Sequence, residues 1–210
     1  MPTTPAPSDT AIPRRGRGRR PASEVRADVL RTVGKLLLRE GLADLTFERV
    51  AREAGVSKTT VYKWWPSVGA LALDGYFHTV EDALAFPDTG DIRADITTQL
   101  HHFVALVTGT PAGRLLTELI GQSQSDPHLA ADYRRLYSNG RRQLAADRFR
   151  RAQQAGQIGA NVDVQVLIDQ LWGAVYHRLL IPDEPVSEEF ADALVRNLFD
   201  GIGAADRTPS

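Results

Sequence analysis

Apolar residues recur at helical spacing along almost the whole chain after Ala22. In the first such segment Val29, Val33 and Leu36 lie on one stripe, and Gly41 follows as a stop signal. No β-hairpin signal interrupts the pattern. The pattern therefore predicts an all-α protein of about nine helices.

Residues that favour helix starts stand ahead of several of these segments. They are Thr46, Ser57, Ser67 and Asp91. Asp126 precedes Pro127 in the same way, and the segment that follows predicts one long helix ending at Gly156. The last two helices are expected over about residues 163–181 and 187–202.

Residues 46–65 read TFERVAREAGVSKTTVYKWW, which is typical of two short helices joined by a tight turn. Ala51 is small enough for a second helix to cross above it, and Gly55 can adopt the positive φ of the turn. Val61 is apolar where the helices would pack. Basic, hydroxyl and phenol groups then face outward, and such groups suit phosphates and base edges. The alternative is a helical hairpin inside an ordinary core.

Composition limits the possible functions. The apolar fraction of 42% is enough for a core, and the absence of cysteine excludes disulfides and thiolate metal sites. No apolar run is long enough for a membrane span, and the basic N-terminus lacks the apolar segment of a secretory signal. We therefore expect a cytoplasmic protein with no membrane partner.

The net charge of −1 conceals an asymmetry between the two ends of the chain. Residues 1–68 carry 13 Lys and Arg against 7 Asp and Glu, whereas residues 69–210 carry 12 against 19. A basic end on an acidic body indicates contact with a polyanion, although ordinary surface variation is the alternative.

Residues 46–65, with Gly41 ahead of them and Pro66-Ser67 and Ala70-Leu71 behind, resemble the DNA-binding domain of the TetR family of transcriptional repressors. The resemblance covers about residues 24–71, and VAREAGVSKTTVYKWW is its most specific part. A weaker similarity, over GAVYHRLLIPDEPVSEEFADALV, is to the C-terminal domain of one TetR subgroup. The family plan implies a helix-turn-helix domain at 22–68 and a larger helical domain for dimerisation and ligand binding at 69–205.

The resemblance also implies which residues touch DNA. Lys58 and Thr59 occupy positions that often face bases. Phosphate contacts are implied or expected for Thr46, Thr60, Tyr62, Lys63 and Trp64. Three residues depart from the family pattern. Val68 replaces a phosphate-binding Lys, Gly69 stands where an acidic residue is common, and Trp64 replaces a His.

Residues 1–21 are rich in Pro, Thr, Ser and Arg and are expected to be a disordered basic arm. Within it PRRGRGRRP is similar to an AT-hook core, in which glycines let the chain lie in a narrow minor groove while arginines reach the base edges. The arginines predicted to contact DNA are Arg17, Arg19 and Arg20. A merely solubilising tail is the alternative.

The last two predicted helices are too apolar for surface elements, because apolar residues cover more than one face of each. A helix buried at the centre of a monomer would explain this, but the family resemblance favours a four-helix dimer interface. The residues predicted for that interface are Ile168, Leu171, Val175, Leu194 and Leu198.

A ligand pocket is expected among the middle helices. Its predicted lining is Phe103, Leu106, Leu119, Tyr137, Trp172 and Tyr176. Plain core packing explains each of these residues equally well, because spacing cannot separate a pocket wall from a filled core.

No metal-binding or catalytic motif appears. His101 and His102 are adjacent, so they point about 100° apart on a helix and cannot share a metal in the i, i+4 manner. We therefore expect no cofactor, no metal and no enzyme activity. The expected function is a dimeric regulator that binds double-stranded DNA and is released by a small-molecule effector. An architectural DNA-binding protein and an all-α enzyme are the alternatives.

Overall fold

The computed structural model describes residues 20–135, 139–181 and 183–201, and every regular element in these ranges is helical. Within these ranges ten helices follow one another. They are α1 Ala22–Glu40, α2 Phe47–Ala54, α3 Lys58–Trp64, α4 Val68–Val80, α5 Ile92–Gly109, α6 Ala112–Ser123, α7 Pro127–Tyr133, α8 Asn139–Gln154, α9 Val164–Leu180 and α10 Glu188–Asp200. A short 3-10 turn, Asp82–Leu84, follows α4. The prediction of an all-α fold is confirmed.

The predicted helix starts are confirmed by their hydrogen bonds. The side chains of Thr46, Ser57 and Ser67 each accept a backbone N–H three residues ahead, and Asp91 accepts two. Such bonds satisfy amide groups that have no partner within the helix. The described parts of the segment predicted as one helix after Pro127 are α7 and α8, and residues 136–138 between them lie outside the described residues.

Helices α1–α3 form an N-terminal head, residues 22–64, around a core that includes Val29, Val33, Val50 and Val61. Helix α4 packs closely along α1. Two glycines permit this approach, because a methyl group at Gly34 would overlap the side chain of Thr79, and one at Gly75 would overlap Val33. The head therefore rests on a helix that continues into the rest of the molecule.

Helices α5–α10 form the body, in which α5 packs against α6, α8 and α10. An ion pair lies inside it: Asp95 on α5 and Arg148 on α8 are 0% and 2% exposed, and Arg148 Nε donates to Asp95 Oδ2 at 2.7 Å. The backbone N–H and hydroxyl of Thr89 also donate to Asp95. The loop before α5 is thereby fixed to α8.

Helix α9 runs continuously from Val164 to Leu180 but contains a π-helical turn at Asp169–Gly173. Ile168, Leu171 and Val175, which were predicted to face a second subunit, are at most 4% exposed and pack into the core of their own chain. In the single chain these side chains therefore leave little surface for a partner, and their place in a dimer interface stays a prediction.

No single described helix is long and apolar enough to cross a membrane. Helices α5 and α6 reach that length and apolar content only together, and they are bent by 87° relative to each other. In the same ranges no three metal-binding side chains are placed to share an ion.

Candidate DNA-binding surface and ligand cavity

Helices α2 and α3 are joined by a tight left-handed turn. Gly55 has φ of 65° and ψ of 32°, and the N–H of Val56 donates to the carbonyl of Ala51 at 3.0 Å. Ala51 and Val61 are fully buried where the two helices meet. The predicted positive φ and the predicted packing are both confirmed, and α3 is held across α2 with one face directed outward.

The outward face of α3 carries most of the residues predicted to touch DNA. Lys58, Thr59, Tyr62 and Lys63 are exposed, and so is Thr46 at the start of α2. Thr60 is half-buried, and its hydroxyl bonds the Ser57 hydroxyl at 2.8 Å. The head thus presents two lysines, two hydroxyl groups and a phenol beside one another on a small surface.

A carboxylate from α2 lies against this face and was not recognised from sequence. Glu48 Oε1 is 3.4 Å from Lys58 Nζ and accepts a hydrogen bond from Tyr62 OH at 3.4 Å. Its own backbone N–H and Lys58 lower the pKa of Glu48, so the carboxylate is ionised at neutral pH. Without DNA, Glu48 therefore occupies two groups that are predicted to meet phosphates or bases.

Glu48→Gln is expected to increase affinity for random-sequence DNA about three- to tenfold at low salt, because it removes a negative charge that repels the phosphates. Fluorescence anisotropy of labelled duplexes at several salt concentrations measures the effect. Glu53→Gln is the matched control, since Glu53 on the same helix lies within ion-pair distance of Arg49 and Arg52 only, among the described residues. Equal affinities for wild type and Glu48→Gln would contradict this role.

The two adjacent tryptophans have different environments. Trp64 is half-buried and packs edge-on against Trp65, with ring centroids 5.6 Å apart. Trp65 is 3% exposed, and its Nε1 donates to Asp74 Oδ2 at 2.8 Å. Arg26 on α1 pairs with the same carboxylate and lies over the Trp65 ring. Trp65 thus joins the end of α3 to both α1 and α4, which fixes the orientation of the outward face of α3.

Of the three arginines predicted to contact DNA, the structure describes Arg20. Arg20 pairs with Asp28 on α1, and Arg17 and Arg19 lie outside the described residues. Val68, which stands where the family pattern has a phosphate-binding lysine, is the first residue of α4 and is half-buried. Because it is a valine, this position supplies no charge.

A cavity of about 410 Å³ lies in the body between α5–α9 and the turn that follows α4. Phe103, Trp172 and Tyr176, three of the residues predicted to line a pocket, are in its wall. Leu106 and Leu119 are outside the wall; Leu119 is fully buried in the core. Tyr137 lies outside the described residues.

Aromatic side chains form part of the cavity wall. Phe86 packs against Trp172 with ring centroids 5.8 Å apart, and Phe103 against Tyr176 at 5.5 Å. Gln99, which was missed from sequence, is the buried amide in this wall, and its Nε2 donates to the carbonyl of Leu84 at 2.8 Å. The π-helical turn of α9 also belongs to the wall, through Asp169, Trp172 and Gly173.

Comparison with protein families gives two matches that together span most of the chain. Residues 34–74 match the model described as bacterial regulatory proteins of the tetR family, and residues 86–198 match the tetracyclin repressor-like C-terminal domain. The chain belongs to the TetR family of transcriptional regulators. The resemblance drawn from residues 46–65 is thereby confirmed, and the α2–α3 unit is the DNA-binding helix-turn-helix of a TetR-family protein.

Individual relatives agree with this membership. The HTH-type transcriptional regulator YdeS of Bacillus subtilis is 35% identical over 87% of this TetR-family chain and 91% of its own length. The regulator Mb1581 of Mycobacterium bovis is 28% identical over 83% and 86%. The crystal structure of the TetR family transcription regulator SCO0332 is 68% identical with a TM-score of 0.83, covering 86% of this chain and 100% of that one.

Proposed function

We propose that the protein is a homodimeric regulator that binds a palindromic operator, represses transcription and is released from DNA by a small molecule. The observation that carries this proposal is the exposed face of α3, where Lys58, Thr59 and Tyr62 stand on a rigid helix-turn-helix. A helix of this kind enters the major groove with its N-terminal residues against the bases.

The position of each side chain along α3 supports a division of roles. Lys58 and Thr59 are the first two residues of the helix, which favours base contacts for both. Thr46, Thr60, Tyr62, Lys63 and Trp64 are the proposed phosphate contacts. Of these, Thr60 and Trp64 are half-buried and would need only their polar edge to reach the DNA backbone.

Two lysine variants test these roles. Lys58→Ala should relax the preference at one base pair of each half-site by about 1–3 kcal/mol, because a base-edge contact is lost. Lys63→Ala is the matched control, since a lost phosphate contact should weaken operator and random DNA alike. Competition titrations with single-base operator variants measure both effects. An unchanged base preference in Lys58→Ala would remove Lys58 from the base-reading set.

The outer face of α9 supports a dimer better than the residues chosen from sequence. Val166, Leu180 and Ile181 are 50%, 44% and 54% exposed. Gly173 lies between them in sequence, and an added methyl there meets nothing within 4 Å. Gly173 and Leu180 also line the cavity, so the proposed interface would border it. Leu194 and Leu198 on α10 are half-buried and remain candidates for the same interface. Burial of these side chains would remove apolar area from water.

A ligand in the cavity would contact side chains that are hydrogen-bonded to the end of α4, the helix that carries the head. The carbonyl of Leu84, in the turn that ends α4, accepts hydrogen bonds from both Gln99 and Arg141. Gln99 and Arg141 are themselves in the cavity wall. A ligand that displaces either side chain would shift the end of α4, and α4 carries the head. Such coupling requires that the ligand bind the two conformations with different affinity.

The basic arm is proposed to lie in the minor groove beside the operator. Removing residues 1–19 deletes Arg14, Arg15, Arg17 and Arg19 but leaves α1 intact. Each lost phosphate contact should lower the slope of log affinity against log salt by about 0.9, and sites with A·T-rich flanks should weaken most. Replacing the four arginines by lysine should keep the slope but reduce the flank preference. A deletion that changes neither quantity would favour the solubilising tail.

A further inference from the structure

One atom in the cavity wall lacks a hydrogen-bond partner among the described residues. Gln99 is 1% exposed, and its Oε1 accepts nothing. The orientation of the amide is fixed, because the carbonyl of Leu84 is an acceptor and only Nε2 can donate to it. A buried carbonyl oxygen without a donor costs free energy, so Oε1 is a site where a donor from a bound molecule would be stabilising.

The neighbouring polar groups do not compete for this role. The hydroxyl of Ser123, which also lines the cavity, donates to the carbonyl of Ile120 at 2.7 Å. Among the described wall residues, Gln99 Oε1 is the buried polar atom without a partner, and a hydrogen-bond donor at the end of this side chain would satisfy it.

The charges around the cavity select against cations. Three guanidinium groups, those of Arg134, Arg141 and Arg142, lie in the wall. The single carboxylate in the described wall is Asp169, and Arg142 Nη1 already pairs with it at 2.5 Å. An ammonium group would enter a positive field with no free carboxylate to meet it.

The shape of the wall selects for flat rings. Phe86, Phe103, Trp172 and Tyr176 line the cavity as two tilted aromatic pairs, and aromatic rings gain from offset or edge-on packing with one another. The volume of about 410 Å³ lies within the range of small-molecule sites.

We propose that this cavity binds a planar aromatic compound, neutral or anionic, that carries a hydroxyl or N–H donor, and that Gln99 Oε1 accepts that donor. This inference rests on the proposed role of the cavity as the effector site. It names the chemical class of the effector and identifies Gln99 as the residue that distinguishes a hydroxylated ring from its unsubstituted or halogenated analogue.

The test compares two probes of nearly equal shape, 2-naphthol and 2-fluoronaphthalene, by isothermal titration calorimetry on the full chain. The ratio of their affinities should fall about tenfold in Gln99→Met, because the variant keeps the side-chain length and removes the acceptor. Ser123→Ala is the matched control and should leave the ratio at the wild-type value. The same ratio in wild type and Gln99→Met would overturn the proposal.

A third probe keeps the proposal testable if Gln99→Met does not fold. 2-(Aminomethyl)naphthalene is a cation at neutral pH and should bind wild type at least about tenfold more weakly than 2-naphthol. Equal binding of the two would overturn the assignment. These measurements use no DNA, so 2-naphthol that binds through Gln99 without releasing operator DNA would contradict the proposed regulation and leave the ligand class standing.

Discussion

Replacing Val166 and Ile181 together with aspartate is expected to convert the proposed dimer into a folded monomer and to weaken operator binding by about 100-fold. Both side chains are at least half exposed in the single chain, so the change should leave the fold intact. In an apolar interface each unpaired carboxylate would cost several kcal/mol, and each 1.4 kcal/mol is a tenfold loss of affinity. A palindromic operator needs both heads at once.

Analytical ultracentrifugation and operator titration measure the two effects. Leu144→Asp is the matched control, because Leu144 on α8 is 49% exposed and lies outside the proposed interface. It should stay dimeric with unchanged operator affinity. Leu171→Asp would be uninformative, since Leu171 is 1% exposed in the core and the variant would unfold. A dimeric double variant with full operator affinity would place the interface elsewhere.

Asp95→Asn is expected to lower the free energy of unfolding by about 3–5 kcal/mol, because it removes the buried carboxylate that pairs with the Arg148 guanidinium and leaves only the exposed Asp88 within ion-pair distance of it, among the described residues. Urea denaturation followed by circular dichroism measures the change. Asp88→Asn is the control: Asp88 contacts the same guanidinium at 3.3 Å but is 54% exposed, so its loss should cost less than about 1 kcal/mol. Equal effects of the two substitutions would mean that burial of the Asp95 pair does not matter.

The Asp95–Arg148 pair predicts that the free energy of unfolding depends on pH. Burial raises the pKa of Asp95, but hydrogen bonds from Thr89 and Arg148 outweigh it and hold the pKa below its ordinary value of 3.8. A carboxyl whose pKa is lower when folded contributes stability above its unfolded pKa, and the contribution is lost as pH falls through the folded pKa. The free energy of unfolding of wild type should therefore no longer exceed that of Asp95→Asn below about pH 4.

Local chemistry made the helices predictable. Asp91 and Ser187 begin helices by bonding amides two or three residues away, so the signal for each start lies within a few residues of sequence. The helix-turn-helix was predictable for the same reason, because Gly55 marks the turn and Ala51 the crossing point.

It was less predictable which side of each body helix faces the core. Helix α9 carries apolar residues on two faces, and periodicity alone does not say which face meets its own core and which remains exposed. In the structure Leu171 and Val175 pack in the core, whereas Val166 and Ile181 are exposed. The π-helical turn adds to the difficulty, since it shifts the register of residues that follow it.

Long-range contacts could not be read from sequence. Glu48 lies beside α3 only because α2 and α3 cross at a particular angle, and Gln99 lies in the cavity wall because a carbonyl fifteen residues earlier accepts its Nε2. Trp65 follows Trp64 directly in sequence, but its indole fits between α1 and α4. None of these partners is near enough in the chain to leave a local signal.

Selection of genomic DNA fragments by the purified full chain, followed by sequencing, tests whether the protein binds a two-fold symmetric operator as a dimer. A dimer with one α3 helix per subunit should enrich fragments that share an inverted repeat, with half-site centres separated by about one helical turn or a multiple of it. Lys58→Ala should enrich the same repeat with one position relaxed in each half. Enriched fragments that share no two-fold symmetric sequence would contradict the account.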